Sequence, residues 1–198
     1  MDIKVLIYFN LNKNFLEVLN FMKDKTKLFI MASVTAILFL VAILPSLNII
    51  GVPKAKLEKD ARKSHKIEDT FHTAKAIDEN IGAFLFYDEN LEDFTFSIYV
   101  KGDAPSLGYF YRNGGGLPGI FYNIQQFDFD GKGSVLMSLN KLKIAKIKLD
   151  LGSNATEVIK VDPLKPFSII IPENTYEFYL YDSNDKLIPL EDKFIDKI

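Results

Sequence analysis

Apolar and polar positions divide the chain into three stretches. Between Lys27 and Lys54, twenty-six residues pass without one charged side chain. The heart of that run, Leu28–Ile50, reads LFIMASVTAILFLVAILPSLNII. A bilayer core takes roughly 20 apolar residues in a helix, and only a helix pairs all its own backbone groups there. The run therefore predicts a transmembrane helix over 28–50, preceded by a short N-terminal tail over 1–27. Residues 54–81 then turn rich in Lys, Glu and Ala, with no Gly or Pro. Leu57, Ala61, Ile67, Phe71, Ala74 and Ile77 give a sparse stripe at near-helical spacing, so a basic helical stalk is expected over 51–82, stopped at Gly82.

From residue 83 the period falls to two. In AFLFY and DFTFSIYVK, Phe94, Phe96 and Ile98 alternate with Thr95, Ser97 and Tyr99, across turn chemistry at Asp88–Asp93. Further strands are expected at Leu107–Tyr111, Gly119–Ile124, Ser134–Ser138, Leu142–Leu151, Glu157–Val161, Phe167–Ile171 and Tyr176–Tyr181. The clearest is KLKIAKIKLDL, Lys141–Leu151, whose alternation slips at Ala145-Lys146 and predicts a bulge or bend there. Short strands at close, regular spacing with no helices between them predict an antiparallel β-sandwich over 83–198. The fold class is thus mainly β, behind one membrane helix and a stalk. The closing stretch YEFYLYDSNDKLIPL resembles the last strands of immunoglobulin-like and fibronectin-like modules. The likeness implies architecture and no function.

Composition narrows the chemistry. The chain has no cysteine, which removes disulfides, thiolate catalysis and cysteine metal sites. Aromatic residues make up 13% and are all Phe or Tyr, which suits a packed core and not a disordered tail. A net charge of −2 argues against nucleic acid as a partner. That total hides an asymmetry: residues 1–81 carry 12 basic against 9 acidic side chains, and 82–198 carry 12 against 17. The basic part flanks the apolar run, where anionic headgroups attract it.

The apolar run is longer than a signal-peptide core, and large Leu, Ile and Val crowd the place where a cleavage site needs small residues. An uncleaved signal anchor is expected. Met22 opens MKDKTKLF, so translation from Met1 or from Met22 are both open. Lys54, Lys56, Lys59, Arg62, Lys63 and Lys66 after the run oppose Lys4, Lys13, Lys23, Lys25 and Lys27 before it. The count favours a cytoplasmic C-terminus. A long domain translocates largely regardless of such charges, and a tight lysine cluster precedes the run as in a signal anchor. The reading adopted is cell membrane, single-pass, with the C-terminal domain extracytoplasmic.

No segment reaches the specificity of a catalytic signature. His65 and His72 lie seven apart with Glu68 and Asp69 between them, a metal-like spacing on a helix. A solvated stalk face accounts for them better, and no metal or cofactor is assigned. Arg112-Asn113-Gly114-Gly115-Gly116 is the most distinctive loop, flanked by Tyr109, Phe110, Tyr111, Phe121 and Tyr122. It lacks the GK[ST] ending of a P-loop and opens no predicted helix. Its glycines permit close backbone approach and Arg112 can clamp an anionic group, so Tyr109, Tyr111, Arg112, Asn113, Gly114, Gly115 and Gly116 are the candidate binding residues. Asp88, Glu92, Asp128 and Asp130 would carry a hydrolase reading, although charged hairpin turns explain them more simply. The sequon Asn154-Ala155-Thr156 matters only in a glycosylating pathway. The function expected is a non-enzymatic binding module tethered to the lipid bilayer, its partner another membrane or envelope component. The main alternative is an accessory subunit acting through its transmembrane helix and stalk.

Overall fold

The computed structural model describes residues 24–43, 49–153, 155–189 and 194–197. The chain falls into two compact units, one up to Ile49 and one from Ile50 onward. In the first, α1 spans Asp24–Ile43, twenty residues. Among the described residues no helix is long and apolar enough to cross a membrane. The expected tail over 1–27 lies outside the described residues except for its last four, and so do residues 44–48 of the expected span. Asn154 of the sequon also lies outside them.

The second unit is mainly β and mostly antiparallel, in three four-stranded sheets. Sheet 1 is a meander of β1 (His72–Ile77), β2 (Ile81–Tyr87), β3 (Phe94–Lys101) and β4 (Tyr109–Gly115). Sheet 2 contains β5 (Gln125–Phe129), β6 (Gly133–Ser138), β9 (Phe167–Ile171) and β12 (Phe194–Lys197), in the order β12-β5-β6-β9. Sheet 3 contains β7 (Lys146–Asp150), β8 (Thr156–Lys160), β10 (Glu177–Tyr181) and β11 (Leu187–Ile188), in the order β11-β10-β7-β8. Among the described strands, only β12 runs parallel to its neighbour, β5.

Two hydrophobic layers hold the sheets. Between sheets 1 and 2 lie Ile81, Ala83, Leu85, Phe96, Ile98 and Val100 from one side, with Phe127, Phe129, Val135 and Met137 from the other. Between sheets 2 and 3 lie Leu136, Phe167 and Ile171 against Ile147, Leu149, Phe178 and Leu180. Sheet 2 is buried on both faces, as Leu136 pointing opposite to Val135 and Met137 requires. Asn140, buried and at φ 56°, pins the crossing from sheet 2 to sheet 3. Its amide donates to the carbonyls of Ile144 (3.1 Å) and Asp162 (3.0 Å) and accepts from the Ile144 amide (2.8 Å). The expected sandwich is therefore three layers deep, where an immunoglobulin-like module has two sheets.

The stalk expectation needs correction. Helix α2 covers only Leu57–His65, after a 3₁₀ turn at Lys54–Lys56, and ends at Lys66 in the left-handed region. Ala74 and Ile77 belong to β1, which pairs with β2 from His72↔Tyr87 to Ile77↔Gly82. Nor does α2 stand free. Leu57 and Ala61 are fully buried against Phe84, Phe86, Tyr99 and Tyr109 on the outer face of sheet 1. Arg62 fixes the turn into β1, donating to the carbonyls of Glu68 (3.1 Å) and Phe71 (3.0 Å) and to Thr73 Oγ1 (2.6 Å). Its guanidinium also lies over the Phe86 ring at 5.0 Å. A second correction concerns Gly119–Ile124, expected as a strand. Pro118–Tyr122 forms a short helix, α3, with Pro at its start, where proline's fixed φ suits a helical turn.

Candidate functional site

The glycine-rich segment is largely strand and not loop. Tyr109–Gly115 is β4, the edge strand of sheet 1, paired with β3 from Phe96↔Gly115 to Lys101↔Tyr109. The physical reason is space. A Cβ on Gly114 would meet the Phe96 carbonyl oxygen at 2.6 Å and the Tyr111 hydroxyl at 2.6 Å, so glycine is what lets the strand lie this close. The register shifts between Ile98↔Asn113 and Tyr99↔Tyr111, which leaves Arg112 as the unpaired residue of a bulge.

The candidate residues separate accordingly. Tyr109 is buried under α2, and its hydroxyl donates to the Asp78 carbonyl at 2.8 Å. Burial raises its pKa, so it is a structural hydroxyl and not a contact for a ligand. Tyr111 is exposed, and its ring packs against Tyr99 and His65 with both centroids 5.8 Å away. Arg112 is exposed beside it. The Asn113 side chain accepts from the Gly114 amide at 2.8 Å, occupying one backbone donor of the strand. Gly115 has a φ of 129°, and Gly116 leads out toward α3. One end of the strand is covered, because Val52 and Tyr109 exchange backbone bonds of 2.7 and 2.9 Å. Of the flanking aromatics, Phe121 stacks on Phe94 at 6.0 Å and lies under the Lys141 ammonium, while Tyr122 is exposed.

Behind Tyr111 the docking of α2 assembles polar groups that sequence reasoning missed. Tyr99 Oη donates to Asp60 Oδ2 at 2.9 Å. Burial, then that hydrogen bond and the Asp60 charge, push the Tyr99 phenol well above its ordinary 10.0, so it stays a donor at neutral pH. His65 Nε2 is buried there without a hydrogen-bond partner. On the flank of the helix, Lys75 Nζ donates to Glu58 at 2.7 Å and holds that carboxyl below its usual value, against the opposing effect of burial. The arrangement offers an exposed ring, an exposed guanidinium and an amide on one strand. That combination suits stacking and hydrogen bonding more than covalent chemistry.

The histidines do not share a helical face. His65 ends α2 beside Tyr111, whereas His72 opens β1 and packs on Tyr87 at 5.7 Å. Among the described residues no group of three or more His, Cys, Asp or Glu side chains is placed to hold a metal ion. Asp88 binds the backbone amides of Glu92 (2.9 Å) and Asp93 (3.1 Å) in the β2–β3 turn. Asp128 accepts from Gln126 and Ser134, both at 2.7 Å. An open cleft of about 320 Å³ is lined by Asp78, Asn80, Gly131, Lys132, Ile170, Pro172 and Glu173, and none of the four carboxylates of the hydrolase reading lines it. Compared with known proteins, the chain matches no family model, no curated protein and no solved structure at a significant level.

Proposed function

We propose that this chain is a single-pass membrane protein whose β-rich unit is a non-enzymatic interaction module, held at the membrane surface on the extracytoplasmic side. The observation that carries the membrane part is the character of α1. Leu28, Phe29, Met31, Ile37, Leu38 and Phe39 are exposed and, at 100° per residue, point to every side of the helix. A helix apolar all round has no stable place in water. The sequence itself stays uncharged from Leu28 to Ile49, where the first unit ends. The interaction part rests on β4, where Tyr111, Arg112 and Asn113 sit on a strand edge that no other strand of the sheet covers. The partner expected is a membrane or envelope component.

The test uses the full chain in intact cells, with a photo-crosslinking residue in place of Tyr111. The proposal expects a discrete adduct that Arg112→Ala reduces several-fold, while the thermal midpoint of the domain stays nearly unchanged. The same probe at Val158, on β8, should give no such adduct. Equal adducts at both positions would remove the β4 edge from the argument. A tag after Ile198 that resists added protease until the cells are opened would place the module on the cytoplasmic side instead.

A further inference from the structure

Helix α2 carries its charges unevenly, and the domain explains half of that. Its two acids are both engaged inward: Glu58 binds Lys75 and Arg62, and Asp60 accepts the Tyr99 hydroxyl. Lys59 and Lys63 lie one turn apart on one face of α2, and Lys56 and Lys66 flank the helix, the one closing the 3₁₀ turn and the other in the left-handed cap. That face is opposite Leu57 and Ala61, the two residues buried against sheet 1. All four lysines are exposed, as is Lys54, and among the described residues none of the five has an ion pair. The next acids, Glu68 and Asp69, fall beyond Lys66, where the helix has ended. Four exposed ammonium groups therefore line α2 and its two ends, while the helix's own acids are engaged with Tyr99, Lys75 and Arg62.

We infer that this lysine face of α2 rests on anionic lipid headgroups of the bilayer that holds the apolar run. The inference rests on the membrane reading above and adds a second contact to it. Lys56 follows Ile49, the last residue of the first unit, by seven positions, so at most about 25 Å of chain separates the two. A basic residue gains from an anionic surface within the screening length, about 10 Å at 0.1 M salt, and that reach of chain allows the lysines to come so close. Each lysine there is worth roughly a fivefold gain in partition. The amines are suited to this because each is a compact charge on a flexible stem, able to reach a phosphate without a fixed pocket. The outcome is an oriented domain, with the α2 side of sheet 1 toward the lipid and sheet 3 away from it.

The absence of cysteine allows a clean test on the full chain. Lys63→Cys and, separately, Glu157→Cys on β8 are labelled with a fluorophore. Each is then reconstituted into phosphatidylcholine vesicles with or without about a third of phosphatidylglycerol, doped with a headgroup-attached quencher. The inference expects quenching at position 63 at least about threefold that at position 157 in the anionic vesicles. The difference should collapse in neutral vesicles, in about 0.5 M NaCl, and in a Lys56→Glu, Lys59→Glu, Lys66→Glu variant whose thermal midpoint is unchanged. Co-flotation with all vesicles but equal quenching at both positions overturns the inference and leaves the membrane reading standing. Quenching that ignores salt and lipid charge also overturns it. Failure of the chain to float with any vesicle overturns the membrane reading and the inference with it.

Discussion

The two outer faces of the β stack are finished in opposite ways. Sheet 1 is covered: β2 is buried along nearly its whole length, with Ile81, Ala83 and Leu85 facing sheet 2 and Phe84 and Phe86 under α2. Sheet 3 is bare: β7 buries Ile147 and Leu149 and turns Lys146, Lys148 and Asp150 outward, while β10 buries Phe178 and Leu180. A sheet with a continuous apolar run needs a lid, whereas one that alternates strictly can end in water. The comparison teaches that α2 is a structural layer of the domain and not a spacer beneath it.

The largest effect should come from Leu57→Ala. If α2 is a core layer, this truncation costs about 2–5 kcal/mol, as much as Leu149→Ala in the layer between sheets 2 and 3. Thermal unfolding of both variants checks it, and a loss below about 1 kcal/mol at Leu57 would return the helix to the status of a stalk. Next, Arg62→Met should cost about 2 kcal/mol, because the carbonyls of Glu68 and Phe71 lose a charged donor. Denaturant titration measures that, with Lys148→Met on the bare face as the matched surface control.

A smaller effect is pH-dependent. Glu58 is held below 4.5 in the folded chain, first by its hydrogen bond to Lys75, so its contribution is complete above 4.5 and is lost as pH falls through the lower folded value. Stability curves of the natural chain and Glu58→Gln should thus differ at neutral pH and converge in acid. Curves that stay parallel down to acid pH would exclude the Lys75 pairing as the source. The smallest change is expected for Lys148→Thr, outward on sheet 3, within about 0.5 kcal/mol of the natural chain. A larger loss there would mean that the bare face is covered in solution.

How much of this was legible in the sequence follows from the same contrast. KIKLD announced a one-faced strand, and β7 is one. IGAFLFY reads as a strand, but what covers its second face is not written in the run, so the helical lid is not legible there. HTAKAI offers helix-forming Ala74, Lys75 and Ala76, and by itself reads as helix. Pairing with β2 overrides that preference, as tertiary context does for weakly biased segments. Phe127 and Phe129 alternate with polar neighbours, but Asp128 and Asp130 beside Gly131 carry turn chemistry that hides β5. At the site, the distinctive residues were visible and their setting was not. Glycines that permit a strand to press against its neighbour look the same in sequence as glycines that loosen a loop. The Asp60–Tyr99 bond joins residues 39 apart, a distance no local pattern can bridge.

The order of pairing in the sheets has a consequence for how the chain is made. Sheet 1 links four strands consecutive in sequence, so a chain emerging from its N-terminus can close it, lid included, before β5 exists. Sheets 2 and 3 are interleaved: β6 waits for β9 across two strands of the other sheet, and β7 waits for β10. Local pairings form early and distant ones late, because a longer loop must be closed first. The nascent domain thus presents the inner face of sheet 1, with Phe96 and Ile98, as its first sticky surface, and synthesis must outrun aggregation there until β5 and β6 arrive to cover it.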